Sequence, residues 1–374
     1  MSENPRYLAL DVFRGMTVCF MIIVNSPGSW EIAYSPLLHA SWHGFTPTDL
    51  VFPSFLFAVG NAMAFVMPKY ESLGTAVFWK KTIKRTVIIF LLGYLMYWFP
   101  FFQYAEGGGV ELKPIGETRI LGVLQRIALC YCIASIVLYF GSRNFAIWFS
   151  VFALLGYWLI LYVFGEANDP YSMVGNYGRE LDLLLFGEKH LYHGEGIAFD
   201  PEGLLSTLPA VVNVIVGYQV GAYIRLKKSS YESIAKLLMV GSLLILVALT
   251  WDIFFPINKK LWTSSFVVLT VGLGTMILAG LMYVVDMKRK QGWTYFFVVF
   301  GRNPLFIYLL SEVALITLLM VPSAERNARD WLFHDFFGSF ASPIHASFLF
   351  AFFFMLACWS VGYVLDRKKI YVKV

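Results

Sequence analysis

Charge is scarce in this chain. Only 14% of its 374 residues are Asp, Glu, Lys or Arg, while 58% are hydrophobic and the mean hydropathy is +0.66. Soluble domains carry roughly 25% charged residues, so a soluble globular protein is excluded. No polar stretch is long enough to fold as a separate soluble domain, and residues 1–374 are expected to form a single membrane domain. Cysteine is scarce too: Cys19, Cys130, Cys132 and Cys358 all lie inside apolar runs. Cys130 and Cys132, two apart on a helix, face different directions, which suits neither a disulfide nor a metal. His190 and His193 lack a third close ligand, so no metal is expected, and there is no nucleophile elbow. No internal repeat is visible, which argues against a transporter built from inverted halves. The first apolar run is interrupted by Asp11 and Arg14 and is followed by no small-x-small cleavage site, so it is expected to be a retained helix rather than a signal peptide.

What the chain has in abundance is apolar runs of about 20 residues, each able to cross a ~30 Å hydrocarbon core. Backbone groups cannot stay unpaired in lipid, and runs this long are helices rather than barrel strands. The expected fold is therefore an all-α polytopic membrane bundle. Ten spans are predicted, at 8–26, 48–67, 85–103, 118–140, 145–164, 205–225, 236–256, 263–286, 295–320 and 344–365. Eighteen basic residues fall on one side of this arrangement and eight on the other. The positive-inside rule then puts both termini in the cytoplasm and the loops holding His39, Glu111, Asp200 and Lys260 outside. That cytoplasmic excess accounts for the net charge of +5, and no nucleic-acid partner is implied. The longest outer loop, 165–206, is acidic and aromatic and is expected to be an ordered cover.

The densest chemistry lies in Leu38-His39-Ala40-Ser41-Trp42-His43-Gly44-Phe45 and the following Asp49-Leu50-Val51-Phe52-Pro53. Two of only six histidines and a carboxylate sit at the mouth of a strongly apolar helix, where ionisable groups are costly to hold. A neutral imidazole can take a proton near neutral pH. His39 is the favoured base, with Asp49 to orient it; His43 competes, and spacing does not choose between them. In the first span, Asp11 and Arg14 are three apart and neighbours on one face. Asn25 lies eleven residues beyond Arg14 on nearly the same face, about 16 Å along the axis. That is roughly the reach of a pantetheine arm from phosphate to thioester, and guanidinium suits phosphate. Arg126, deep in the fourth span, must face a partner or water; Asp11, Asp49 or a bound anion could neutralise it. Arg302 and Asn303, before Pro304, are further candidates to hold the donor, and Glu312 lies inside the same stretch. Trp42, Trp251 and Trp262 are expected near the outer interface, as belt anchors or as stacking faces for a sugar.

These residues also carry a family resemblance. Leu10-Asp11-x-Phe13-Arg14-Gly15, Val24-Asn25, His39-Ala40-Ser41-Trp42-x-Gly44, Asp49-Leu50-Val51-Phe52-Pro53, Gly122-Val123-Leu124-Gln125-Arg126, Asp200-Pro201-Glu202-Gly203-Leu204-Leu205 and Asn258-Lys259-x-Leu261-Trp262-x-x-Ser265 resemble, in order, the heparan-α-glucosaminide N-acetyltransferase family. The resemblance implies transfer of acetyl from cytosolic acetyl-CoA to a glucosamine-type amine across the membrane, and a bacterial inner membrane is the expected location. It implies His39 as the active-site histidine, Asn25 as its partner, and Arg14 and Arg126 as CoA contacts. Trp42, His43, Glu202 and Trp262 become candidate contacts to the amino-sugar acceptor, and a homodimer is the family expectation. The Asn25–His39 connection departs from the family's glycine-rich turn, with Ser26-Pro27-Gly28-Ser29 in its place. Rival readings are an amino-sugar permease and an O-acetyltransferase of envelope polysaccharide.

Overall fold

The computed structural model describes residues 7–104, 109–323 and 326–372. Arg6 and Lys373, two of the basic residues counted above, lie outside them. The helices are α1 (Leu8–Asn25), α2 (Val51–Leu73), α3 (Thr75–Trp98), α4 (Val123–Phe140), α5 (Arg143–Phe164), α6 (Tyr177–Phe186), α7 (Thr207–Lys227), α8 (Tyr231–Asp252), α9 (Ser264–Leu281), α10 (Thr294–Arg302), α11 (Pro304–Met320), α12 (Ala328–Trp331) and α13 (Pro343–Arg367). Two short antiparallel ladders, Phe102–Tyr104 with Val110–Leu112 and Pro322–Ser323 with Arg326–Asn327, are the β-structure among the described residues. The all-α expectation holds.

The span count needs correcting from ten. Among the described residues, eight helices are long and apolar enough to cross a membrane, or nine if α10 and α11 together make one span. The predicted span 85–103 falls on α3, whose first half carries Lys80, Lys81, Lys84 and Arg85 and is too charged to qualify. The predicted span 295–320 is broken: α10 and α11 meet at 84°. Pro304 has no N–H to donate and disfavours the helical region for the residue before it, and Asn303 sits at φ −129°, ψ 50°. The freed backbone is steadied by Asn303, whose Nδ2 donates to Ile370 O at 3.0 Å and whose Oδ1 accepts from Val372 N–H at 2.8 Å.

The chain packs into two compact units. The first holds the described chain through Ala40, then Thr46–Phe55, then the described residues from Ile277 onward. Its centre is the crossing of α1 and α10. A Cβ on Gly15 would lie 1.8 Å from Phe297 O, and one on Gly301 would lie 2.5 Å from Asp11 O. Close backbone approach through small residues is how membrane helices gain packing without a hydrophobic driving force. The glycine of the Asp-x-x-Arg-Gly motif is thus a packing residue.

The second unit holds Ser41–Phe45 and Leu56–Met276. Gly60 and Gly217 form a like crossing between α2 and α7: their added Cβ atoms would meet Val214 O at 1.9 Å and Phe57 O at 2.2 Å. The 165–206 segment is ordered, as expected. Asn176 caps α6 by accepting from Arg179 N–H, Arg179 Nε donates to Ala198 O at 2.8 Å, and His190 Nδ1 lies 2.7 Å from Thr118 O.

Candidate active site

In the first unit, Thr46-Pro47 starts a 3₁₀ turn (Pro47–Leu50) that runs into α2, and Asp49 is its third residue. The Asp49 carboxylate reaches back to accept the Thr46 N–H at 2.9 Å, the reciprocal contact of a capping box. The same oxygen, Oδ2, accepts the Ala40 N–H at 3.2 Å, and Thr46 Oγ1 lies 3.1 Å away. The other oxygen, Oδ1, is 2.6 Å from His39 Nδ1. Asp49 is 1% exposed, while the His39 side chain keeps 32% of its surface. A buried carboxylate held by backbone donors therefore fixes one edge of an accessible imidazole. Such an arrangement sets the ring's tautomer and stabilises its cation.

Three further polar pairs belong to this unit. Asn25, the last residue of α1, donates through Nδ2 to Glu312 Oε1 of α11 at 3.5 Å. Arg14 Nη2 is 3.0 Å from Asp11 Oδ1, the pairing expected from their spacing. Arg302 is paired with Asp366 of α13, and Asn303 clamps the C-terminal backbone as described. Glu312 is the site residue to which spacing assigned no role. The signal was there: an acid inside an apolar helix is a functional candidate by default.

The remaining candidates lie in the second unit. Gly44, at φ 115°, donates its N–H to Ile257 O at 2.8 Å, which carries Trp42 and His43 onto the 257–262 loop. Trp42 Nε1 donates to Tyr171 O at 2.9 Å, and its ring meets Phe199 edge-on. His43 Nδ1 is 3.4 Å from Asn258 Nδ2. Burial lowers the His43 pKa, against the pull of Asp169 and Asp252.

Glu202 and Trp262 are buried and spend their polar atoms on protein partners. Arg119 Nη2 binds Asp200 at 2.5 Å and Glu202 at 2.7 Å. This shared guanidinium pulls Glu202 below the usual carboxylate range despite burial, whereas burial leaves Asp200 raised. Trp262 is 0% exposed, so it is neither a belt anchor nor an open stacking face; its Nε1 donates to Asn213 Oδ1 at 3.1 Å. Arg126, 1% exposed, lies over the Trp262 ring at 4.9 Å and donates through Nη2 to Gly203 O and Ser206 Oγ. Neither Asp11 nor Asp49 pairs with it; those acids hold Arg14 and His39. Arg126 Nε and Nη1 have no partner among the described residues.

Comparison with known proteins agrees with the motif resemblance. Residues 6–169 match the model of the family described as heparan-alpha-glucosaminide N-acetyltransferase, catalytic. The human heparan-alpha-glucosaminide N-acetyltransferase is 27% identical over 99% of this chain and 60% of its own length. The mouse protein is 26% identical over 100% of this chain and 61% of its own. The chain thus spans about three-fifths of the length of these curated relatives. It is distantly similar to these proteins, and its apolar helices make it a multi-pass integral membrane protein.

Proposed function

We propose that this chain is an acetyl-CoA-dependent transmembrane N-acetyltransferase, with the chemistry carried by the first unit. The observation that supports it most is the 2.6 Å contact between His39 Nδ1 and the buried Asp49 carboxylate. With Nδ1 engaged, proton transfer runs through Nε2. The acceptor amine loses a proton to Nε2 and attacks the thioester carbonyl; the N–C bond forms, the C–S bond breaks, and the CoA thiolate leaves. The imidazolium returns its proton to the sulfur, and Asp49 stabilises the ring while it is charged. Asn25, an amide donor, serves the carbonyl oxygen as negative charge develops there, the kind of preorganised dipole that contributes most in acyl transfer. Arg14 meets a CoA phosphate. Arg302 and Asn303, committed to Asp366 and to the C-terminal backbone, serve the framework. Trp42 and His43 are assigned to the acceptor, of the glucosamine type, and Glu202 and Trp262 to the scaffold beneath it.

Sidedness follows from charge. The basic residues gather in one set of loops, eighteen against eight, and α3 carries its lysines in its first half. The termini flank the basic set and are placed with it on the cytoplasmic side. In sealed vesicles of known orientation, labelled acetyl-CoA supplied on the cytoplasmic face should acetylate glucosamine enclosed on the other. Labelling only when both substrates share a compartment would sink transmembrane transfer, and labelled amino sugar crossing unchanged would install the permease.

A further inference from the structure

A cleft of about 500 Å³ in the second unit plays no part in this chemistry. It is walled by the end of α2, the α4–α5 turn and the last turns of α7. The α7 residues Tyr218, Gln219, Ala222, Tyr223, Leu226 and Lys227 recur at helical spacing, so one face of that helix forms a wall. Arg143, at the start of α5, and Lys227 bring positive charge, and Glu71 brings one negative charge. These three line one cleft, yet they form no ion pair with one another or with any other described residue. All three are exposed at the rim of a largely apolar cleft, so each charge is open to a partner that enters it. Around the cleft the surface is apolar: Phe140, Phe145, Trp148 and Leu226 are each more than half exposed. In a membrane protein such side chains face acyl chains.

We propose that this cleft binds the headgroup of an aminophospholipid, a phosphate and a primary ammonium on one short linker. The phosphate lies between Arg143 and Lys227, as anions do in basic pockets between transmembrane helices. The ammonium donates to Glu71 and to the Tyr218 and Gln219 oxygens, and the acyl chains run out over Phe145 and Leu226. Glu71 makes the choice of class. A purely anionic headgroup would leave that carboxylate without a cation, and a quaternary ammonium has no N–H to give it.

The test uses the full chain in bilayer discs holding equal phosphatidylethanolamine, phosphatidylglycerol and phosphatidylcholine, with retained lipid read by mass spectrometry after delipidation. Phosphatidylethanolamine should be retained about fivefold over phosphatidylcholine, the worth of roughly one net hydrogen bond. Glu71→Gln should erase its lead over phosphatidylglycerol. Arg143→Gln/Lys227→Gln should lose both lipids, and Arg143→Lys/Lys227→Arg should restore them, which separates lost recognition from lost folding. Equal retention of ethanolamine and choline lipids, or a ratio unmoved by Glu71→Gln, would overturn the proposal. So would displacement of the lipid by CoA, which would give the cleft to a nucleotide phosphate. Binding of free phosphoethanolamine without lipid retention would make the occupant a soluble amine phosphate and overturn the lipid assignment.

Discussion

His39 and His43 are four residues apart and are held in different ways. His39 shares a proton position with Asp49, a carboxylate that is buried and fixed by two backbone N–H groups. His43 leans on the side-chain amide of Asn258 at 3.4 Å, packs edge-on to Trp42, and has its pKa lowered by burial. An imidazole without a carboxylate gains little from becoming charged; one with a carboxylate is poised to take a proton and return it. Partner rather than proximity separates the two. The same contrast divides the polar groups of the two units. In the first, each candidate meets one acid and keeps some surface: the Arg14 side chain is 24% exposed and that of His39 is 32% exposed. In the second, Arg119, Asp200 and Glu202 close on one another in a buried cluster. Changes in the first group should cost activity, and changes in the second should cost stability.

The widest separation is expected between the histidines. His39→Ala should lower acetyl transfer about 10²–10⁴-fold, the range for a lost general base, while leaving acetyl-CoA binding within a few-fold. His43→Ala should cost less than tenfold, mostly in acceptor KM. Full activity in His39→Ala with loss in His43→Ala would reverse the assignment. On the other side of the comparison, Arg119→Ala strands two buried carboxylates and should cost about 3–5 kcal/mol of stability in thermal or denaturant unfolding. Adding Asp200→Asn and Glu202→Gln should recover part of it, because the stranded charges are then gone. Activity lost from Arg119→Ala without destabilisation would move that cluster into the catalytic machinery.

Smaller effects sharpen the first group. Arg14→Ala removes a charge-assisted contact worth about 1.5–3 kcal/mol, so acetyl-CoA affinity should fall about tenfold to a hundredfold in direct binding. Failure of Arg14→Ala to fold, with Asp11→Ala/Arg14→Ala folding normally, would make the pair structural. Glu312→Gln keeps an acceptor for Asn25 Nδ2 and removes the ionisable carboxyl, so kcat should fall by less than about tenfold with KM unchanged.

The membrane class, most of the spans and the two local pairs were legible because they are matters of run length and short spacing. Asp11–Arg14 is one turn of one helix, and His39–Asp49 is two ends of one short loop. The bend at Asn303 was half legible: Pro304 marks it, but an unbroken apolar run conceals how far the chain turns. Spacing alone left Arg126 without its partners, because Gly203 and Ser206 lie some 80 residues away in a loop that only the fold brings to α4. The partner of Glu312 was hidden for the same reason, Asn25 being 287 residues away. Trp262 was misjudged by composition, since a tryptophan near a span end belongs to a belt until burial shows otherwise.

The buried cluster offers one more test, by pH. Asp182 of α6 accepts the Leu204 N–H at 2.9 Å, and its carboxyl is pushed up to about 7, chiefly by burial, with Asp200 adding to the rise and the Leu204 contact and Arg126 opposing it. An acid whose folded pKa lies above its unfolded value near 3.8 holds its proton more tightly in the folded state. Between pH 4 and pH 7 the folded protein therefore binds more protons than the unfolded one, and stability falls as pH rises through that window. Asp182→Asn keeps the acceptor for Leu204 and removes the titration. Between pH 5 and pH 8 the wild-type chain should lose on the order of 1–3 kcal/mol more than Asp182→Asn does, read as the difference of two unfolding curves. The coupling between Asp182 and Asp200 is lost with the Asp182 charge and is part of the measured difference. Parallel pH profiles would mean that Asp182 is ionised in the folded chain and that Arg126, rather than burial, sets its charge.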